Sequence, residues 1–139
     1  MNIRLMKTFT KSNIRLGARL FTAQSTFWKN GQLAVNLPIA VGLTTHDEKA
    51  KVSVNTEQGW LATWEHLGDS ELGTGIKISP EGIDDHKIIY SQGQKDKGHG
   101  VLITHTDDKG QISYQAGYGW KKADENTSLK KWQQYLADF

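Results

Sequence analysis

The side chains best suited to proton transfer are a histidine between glycines and a glutamate close to two tryptophans. His99 lies in the segment KGHG, whose glycines leave the imidazole sterically free, and Glu65 ends the segment WLATWE. General acid–base chemistry needs two titratable groups that face one pocket, and a β-sandwich could bring these two together. We therefore name His99 and Glu65 as the catalytic candidates. Many other pairs in the sequence meet the same requirement, and most surface histidines have no special role.

Several other chemistries are excluded or lack support. The chain has no cysteine, which excludes disulfides, thiolate nucleophiles and cysteine-ligated zinc. It has no G-x-S-x-G elbow for a serine nucleophile, and the segment GQKDKGHG lacks the pattern of a phosphate loop. The five histidines are not spaced as a metal-binding pair on a helix. We expect neither a metal nor a cofactor.

The five tryptophans are a second set of candidates. The apolar face of a sugar ring stacks on an indole, while the sugar hydroxyls bond to polar neighbours. Trp60 and Trp64 would share one face of a strand, so burial between two sheets is the alternative to a ligand role for both. For Trp120, which a glycine and lysines flank, a core role and a ligand role stay equally open.

The segment QAGYGWKKAD, residues 115–124, has two interpretations. As a binding site, Tyr118 and Trp120 would stack on a sugar while Lys121 and Lys122 meet a carboxylate. As a junction, its glycines would bend the chain where the last strand gives way to the last helix. The ligand-binding candidates are therefore Trp64, Tyr118, Trp120 and Lys121.

The charge of the chain is mild but unevenly placed. A net charge of +2 and a pI near 8.8 are too low to predict a nucleic-acid partner. No apolar run approaches the roughly 20 residues that span a bilayer, so no membrane partner is expected. The first residues lack the apolar region of a secretory signal. Five basic residues and no acidic residue lie in the first twenty, which indicates either a solvated strand face or an anionic partner: Arg4, Lys7, Lys11, Arg15 and Arg19.

Period-two alternation predicts strands along most of the chain. Between Ile14 and Leu20 apolar side chains fall at every second position. Asn30-Gly31 predicts a tight hairpin that joins Ser25–Lys29 to Gln32–Leu37, and Pro38 predicts a bend, a bulge or a sheet edge. Further strands are expected at Lys51–Asn55, Trp60–His66, Gly75–Ser79 and Lys87–Ser91.

A second hairpin and a helix are predicted in the last third of the chain. The turn segment DDKG predicts a second hairpin between Val101–His105 and Gln111–Ala116. A terminal helix is predicted by Leu129, Trp132 and Leu136, which lie on one helical face behind an N-cap at Thr127 or Ser128. The expected fold is all-β: a single antiparallel β-sandwich domain, residues 1–139, with one C-terminal α-helix.

The ordered segments GWLATWEH, LGTGIKISP, DDHKIIYSQ, SYQAGYGWKKAD and LKKWQQYLADF resemble the C-terminal part of a bacterial family known as a domain of unknown function (number four-eight-six-one). The resemblance covers about residues 13–139. It is carried by Gly59, Trp60, Glu65, Leu72, Gly73, Tyr114, Gly117, Gly119, Trp120, Trp132 and Tyr135.

This resemblance implies a context as well as a fold. Family members commonly occur with enzymes that degrade uronic-acid polysaccharides such as pectin, alginate and ulvan, which implies an oligosaccharide as the partner. The implied fold is half of a mutarotase-like supersandwich. Because family members are much longer, the chain is expected to be a C-terminal fragment, in which a site shared between halves would be incomplete. Its localisation is open, and periplasmic or secreted if the full-length protein carries a signal.

Three functions follow as hypotheses. The first is a carbohydrate-active protein that acts on uronic-acid-containing oligosaccharides, with Glu65 and His99 as acid and base. The second is a non-catalytic carbohydrate-binding module that uses its aromatic side chains. The third is a truncated remnant without independent activity, whose exposed edge strands favour association with another chain. The oligomeric state is left open.

Overall fold

The computed structural model of the chain describes residues 6–14, 19–47, 49–68, 70–89, 98–120 and 128–139. Within these ranges it has ten strands: β1 (Met6–Ile14), β2 (Leu20–Lys29), β3 (Gln32–Leu33), β4 (Pro38–Thr44), β5 (Lys51–Asn55), β6 (Trp60–Leu67), β7 (Ser70–Lys77), β8 (Asp85–Ile89), β9 (His99–His105) and β10 (Gln111–Trp120). A 3₁₀ turn spans Pro80–Gly82, and helix α1 spans Leu129–Asp138.

The strands form two antiparallel sheets that pack face to face. The large sheet has seven strands in the order β1-β2-β10-β7-β6-β5, with β3 paired to β2. The small sheet has three strands in the order β4-β9-β8. Between the sheets lies an apolar core of Val52, Leu61, Ile76, Ile78 and Leu102. The predicted all-β sandwich with one C-terminal helix is confirmed.

Strand β6 is buried on both faces, which explains its unusual sequence. Trp60, Ala62 and Trp64 point to one side of the large sheet and join the cluster beneath α1. Leu61, on the alternate face, belongs to the core between the sheets. The prediction that Trp60 and Trp64 share one strand face is confirmed. The prediction that a second sheet covers this face is wrong, since helix α1 covers it.

Helix α1 docks on the large sheet through the apolar stripe that the sequence predicts. Ser128 is the N-cap, and its hydroxyl accepts a hydrogen bond from Lys131 N at 3.2 Å. Trp132 and Leu136 are fully buried, and Trp132 Nε1 donates to the carbonyl of Thr74 at 2.9 Å. An isolated helix of this length is only marginally stable in water, so α1 depends on this docking for its stability.

The glycines of the predicted junction have a different role from the one expected. β10 does not bend at Gly117 and Gly119; it continues through Trp120 as a paired strand. Gly117 lies opposite Gly75, and Gly119 lies opposite Gly73. A Cβ on Gly73 would lie 2.7 Å from Trp132 Cδ1. Gly73 and Gly75 therefore form a floor without side chains beneath Trp132 and Leu136, which we call the glycine floor, whereas a Cβ on Gly117 would meet the backbone carbonyl of Arg19. The junction interpretation is wrong in this respect.

One predicted hairpin is confirmed and the other is wrong. Asn30 and Gly31 both have positive φ (53° and 79°), as a tight turn between β2 and β3 requires, although β3 is only two residues long. In the second case β9 pairs with β4 and β8 in the small sheet, whereas β10 belongs to the large sheet. The Asp-rich turn thus crosses between sheets. Pro38 begins the edge strand β4, as one of its predicted alternatives requires.

Candidate functional site

Glu65 is a buried carboxylate that bonds to the backbone of a neighbouring loop. Only 2% of the residue is exposed, and its Oε2 accepts hydrogen bonds from the backbone N–H of His46 at 2.7 Å and of Asp47 at 3.2 Å. Both donors belong to the loop that follows β4. A buried carboxylate needs such partners, and these bonds fix the loop against the end of β6.

His99 lies on another sheet and faces away from Glu65. In β9, Gly100 and Leu102 are buried, and a Cβ on Gly100 would touch Leu61 of the large sheet. Because strand side chains alternate, His99 points to the outer face of the small sheet. The structure does not bring His99 and Glu65 into one pocket.

Tyr118 lies on the same face of the large sheet as Glu65. Cross-strand pairing aligns Trp120 with Leu72 and Glu65, and Tyr118 with Thr74 in the adjacent row. The Tyr118 residue is 63% exposed, so its ring is accessible. The side chain of Trp120 and the whole of Lys121 and Lys122 lie outside the described residues, and the predicted cation–aromatic site stays a prediction.

Trp64 lies on the opposite face from Tyr118. It is 7% exposed and packs with Trp60, Trp132 and Leu136. Its remaining accessible edge lines a polar pocket of about 260 Å³ beside the first turn of α1. This helix-side pocket is formed by Lys49, Lys51, Trp64, His66, Glu71, Ser128 and Leu129.

Cross-strand pairs build the walls of the helix-side pocket. Lys51 of β5 lies opposite Trp64, and His66 of β6 lies opposite Glu71 of β7. His66 Nε2 is 3.3 Å from Glu71 Oε1; the side chain of His66 is 66% exposed and that of Glu71 is 19% exposed. The pocket thus pairs an accessible imidazole with a partly buried carboxylate.

Asp47 positions two of the pocket residues. Its Oδ1 accepts from the backbone N–H of Lys49 at 3.1 Å, and its Oδ2 accepts from that of His66 at 3.0 Å. These backbone hydrogen bonds, first from His66 and then from Lys49, lower the pKa of Asp47 below its usual 3.8. The ionised carboxylate therefore fixes Lys49 and His66 next to each other.

The electrostatic balance of the helix-side pocket favours an anion. Among the residues that the structure describes, its lining includes Lys49 and Lys51, and it lies at the positive end of the α1 dipole. The carboxylate in its lining, Glu71, is paired with His66. A carboxylate-bearing ligand could be held by charge-assisted hydrogen bonds from the lysines, with the apolar edge of Trp64 as the floor.

Sequence reasoning missed four residues of this pocket: Lys49, Lys51, His66 and Glu71. A signal for His66 was present, because two-residue spacing places it on the same strand face as Trp64. Lys49 and Glu71 carried no comparable signal, since a loop and a turn between strands bring them to the pocket.

A larger cavity of about 390 Å³ opens between the sheets beside β4, and its lining has no charged side chain. It does not match the chemistry of a sugar acid. Among the residues that the structure describes, no cluster of three histidine or acidic side chains could hold a metal ion. No helix in the described part of the chain has the length and apolar character to cross a membrane.

Comparisons with known proteins place the chain in a family. It is 34% identical over 102 residues to "Uncharacterized protein P7" from Formosa agariphila, an alignment that covers 73% of this chain and 25% of that protein. The chain thus spans about a quarter of the length of this curated relative. No solved structure matches it. The sequence model described as "Domain of unknown function (DUF4861)" matches residues 3–139, and the chain therefore belongs to the DUF4861 family.

Proposed function

We propose that the protein binds uronic-acid-containing oligosaccharides, and that the helix-side pocket receives a sugar carboxylate. The observation that carries this proposal is the position of Lys49 and Lys51 beside Trp64. An ammonium group and an indole edge suit the two halves of a sugar acid, since the carboxylate is charged and the ring C–H groups are apolar. The context implied by the family resemblance supports the same class of ligand.

The size of the helix-side pocket limits what it can hold. Its volume of about 260 Å³ is below the roughly 300–1,000 Å³ of sites that enclose drug-sized ligands. One sugar ring with its carboxylate is therefore the expected occupant. The neighbouring rings of an oligosaccharide would extend from the pocket into solvent.

Calorimetric titration with galacturonate and with galactose tests this proposal. The two sugars differ by a carboxylate, so galacturonate should bind more tightly. Lys51→Ala should weaken galacturonate binding by at least about tenfold, because a hydrogen bond to a charged group contributes about 1.5–3 kcal/mol. Lys109→Ala is the matched control, since Lys109 is an exposed lysine in the turn between β9 and β10. Equal binding of the two sugars, or an unchanged affinity in Lys51→Ala, would overturn the proposal.

A catalytic role is the second candidate, because of the pair formed by His66 and Glu71. Their 3.3 Å separation allows one group to hold a proton while the other accepts one, at a position where a sugar would bind. Mass spectrometry of oligouronates incubated with the protein would detect cleavage, elimination or isomerisation products. Products that disappear in Glu71→Gln and persist in His99→Ala would assign turnover to the helix-side pocket. The opposite result would favour the pair predicted from sequence.

A further inference from the structure

A second surface with its own ligand chemistry lies on the part of the large sheet that α1 leaves uncovered. The helix packs on β6 and β7, whereas β10, β2 and β1 continue the same face beyond it. In β2, Ala23 and Ser25 are buried on the other side, so the even-numbered side chains point outward. We call this surface the β2 face. Its members are Phe9, Lys11, Asn13, Thr22, Gln24, Thr26, Trp28, Gln111, Ser113 and Gln115.

The β2 face consists of ordered rows of amides and hydroxyls. Lys11 lies opposite Gln24, which lies opposite Ser113. The next row aligns Thr26 with Gln111, whose Nε2 donates to Thr26 Oγ1 at 3.2 Å. Such groups both donate and accept hydrogen bonds, which suits the many hydroxyls of a sugar chain.

Aromatic and aliphatic side chains form one end of this face. Phe9 is 62% exposed and Leu33 is 46% exposed, and Trp28 pairs across strands with Leu33. The exposed ring of Phe9 beside the polar rows could stack on the C–H face of a sugar ring. From Thr22 to Trp28 the face runs about 20 Å at the usual strand rise, which accommodates several sugar rings in a row.

The other end is concave and carries a cation. A hollow of about 210 Å³ is lined by Thr22, Lys77, Ile78, Ser79, Ser113, Tyr114 and Gln115. Lys77 lies opposite Gln115 in the sheet, and its Nζ donates to the carbonyl of Leu136 at 2.7 Å. An ammonium group has three N–H donors, so donor capacity remains beyond this bond and a longer one to Ala137.

Lysines are the charged side chains among the residues that line this surface. Strands β1 and β2 contain lysines, and none of the strands β1, β2 and β10 contains aspartate or glutamate in its sequence: MKTFTKSNI, LFTAQSTFWK and QISYQAGYGW. Lys11 is exposed near the middle of the face and Lys77 lies at its concave end. The face is therefore complementary to a chain that combines hydroxyl groups with repeated negative charges.

From this arrangement we propose that the β2 face binds an acidic polysaccharide along β2. Its sugar rings stack near Phe9, its hydroxyls bond to the Gln, Thr and Ser rows, and its acidic groups meet Lys11 and Lys77. The surface is separate from the helix-side pocket, so it binds a polymer whether or not that pocket binds a single sugar.

Titrations with sugars of different length and charge test the β2 face. An oligogalacturonate of about six units, a sulfated oligosaccharide and a neutral oligosaccharide of equal length are each titrated into the protein. At least one of the two anionic chains should bind more tightly than the neutral chain. The anionic chain that binds more tightly shows whether the β2 face prefers carboxylate or sulfate groups. Phe9→Ala and Lys11→Ala should each weaken that binding by about three- to tenfold. The affinity for the galacturonate monosaccharide should be the same in both variants as in the unmodified protein.

The controls separate this proposal from that for the helix-side pocket. Lys51→Ala should leave most of the oligomer affinity intact. Lys109→Ala should change neither the affinity for the oligomer nor the affinity for galacturonate. If the monosaccharide does not bind at all but Phe9→Ala still weakens the oligomer, the β2 face stands and the pocket proposal fails. Oligomer affinities that are unchanged in both Phe9→Ala and Lys11→Ala would overturn the β2-face proposal. So would a single-stranded oligonucleotide that binds as tightly and with the same dependence on Phe9, since this would identify a general polyanion surface.

Discussion

Glu65 and Asp47 each accept hydrogen bonds from the backbone of the segment that carries the other. Glu65 Oε2 accepts from Asp47 N at 3.2 Å, and Asp47 Oδ2 accepts from His66 N, the residue after Glu65, at 3.0 Å. The two carboxylates thus form a reciprocal clamp between the end of β6 and the loop after β4. Since Lys49 and His66 extend from the two sides of this clamp, the shape of the helix-side pocket depends on it.

Replacement of Glu65 should therefore reduce stability first and ligand binding second. Glu65→Ala leaves the N–H groups of His46 and Asp47 without this acceptor, and we expect a loss of about 2–4 kcal/mol in the free energy of unfolding. Glu65→Gln keeps one oxygen acceptor and should lose less. Urea unfolding followed by tryptophan fluorescence measures both. If Glu65→Ala unfolds at the same urea concentration as the unmodified protein, the clamp has no role in stability.

The other half of the clamp predicts a dependence of stability on pH. The pKa of Asp47 is lower in the folded protein than the usual 3.8, so the unfolded chain binds more protons between these two values. The contribution of Asp47 is then fully present above the unfolded pKa and is lost as pH falls through the folded pKa. Unfolding experiments from about pH 7 to pH 2 on the protein and on Asp47→Asn should show two curves that differ at neutral pH and converge in acid. A difference that is constant across this range would contradict the expected role of the charge.

Several of the residues that carry the family resemblance in the sequence take part in helix docking. Gly73 belongs to the glycine floor on which Trp132 packs, and the Tyr135 hydroxyl accepts a hydrogen bond from Arg19 N at 2.8 Å. Gly59 has a φ of +83°, and a Cβ there would lie 2.1 Å from the carbonyl oxygen of Ile78. These four residues thus have roles in helix docking and in backbone geometry.

Local patterns predicted the elements of the fold but not the partition of strands between sheets. The Asn30-Gly31 turn and the stripe of α1 are set by neighbours in sequence, and both were predicted correctly. The separation of β9 from β10 depends on pairings with β4 and β7, which a turn sequence alone does not encode. The same limit applies to the site, because the helix-side pocket and the Glu65 clamp join segments that lie far apart in the chain.

The glycine floor predicts a specific sensitivity of helix docking to added side chains. In Gly73→Ala the new Cβ would lie 2.7 Å from Trp132 Cδ1 and 2.8 Å from its Cγ, and the rigid indole is held by its bond to Thr74. We expect a loss of about 1–3 kcal/mol from overpacking and a change in tryptophan fluorescence as α1 shifts. Gly82→Ala is the matched control, since the nearest atom would be 3.6 Å away. Equal stability of the two variants would show that the helix adjusts without loss.

Lys77 should stabilise the C-terminal end of α1 despite the unfavourable burial of its charge. Its Nζ donates to the carbonyls of Leu136 and Ala137 at 2.7 and 3.4 Å, so Lys77→Met should destabilise the fold by about 1–2 kcal/mol. Burial lowers the pKa of Lys77 below 10.5, and Asp138 opposes this only in part. Between the folded pKa and 10.5 the unfolded chain therefore binds more protons, and the stability of the protein relative to Lys77→Met should rise with pH. Unfolding curves from about pH 7 to pH 11 measure whether this relative stability rises or falls. A fall would mean that the charge stabilises the folded protein through its bonds to the helix by more than burial of the charge destabilises it.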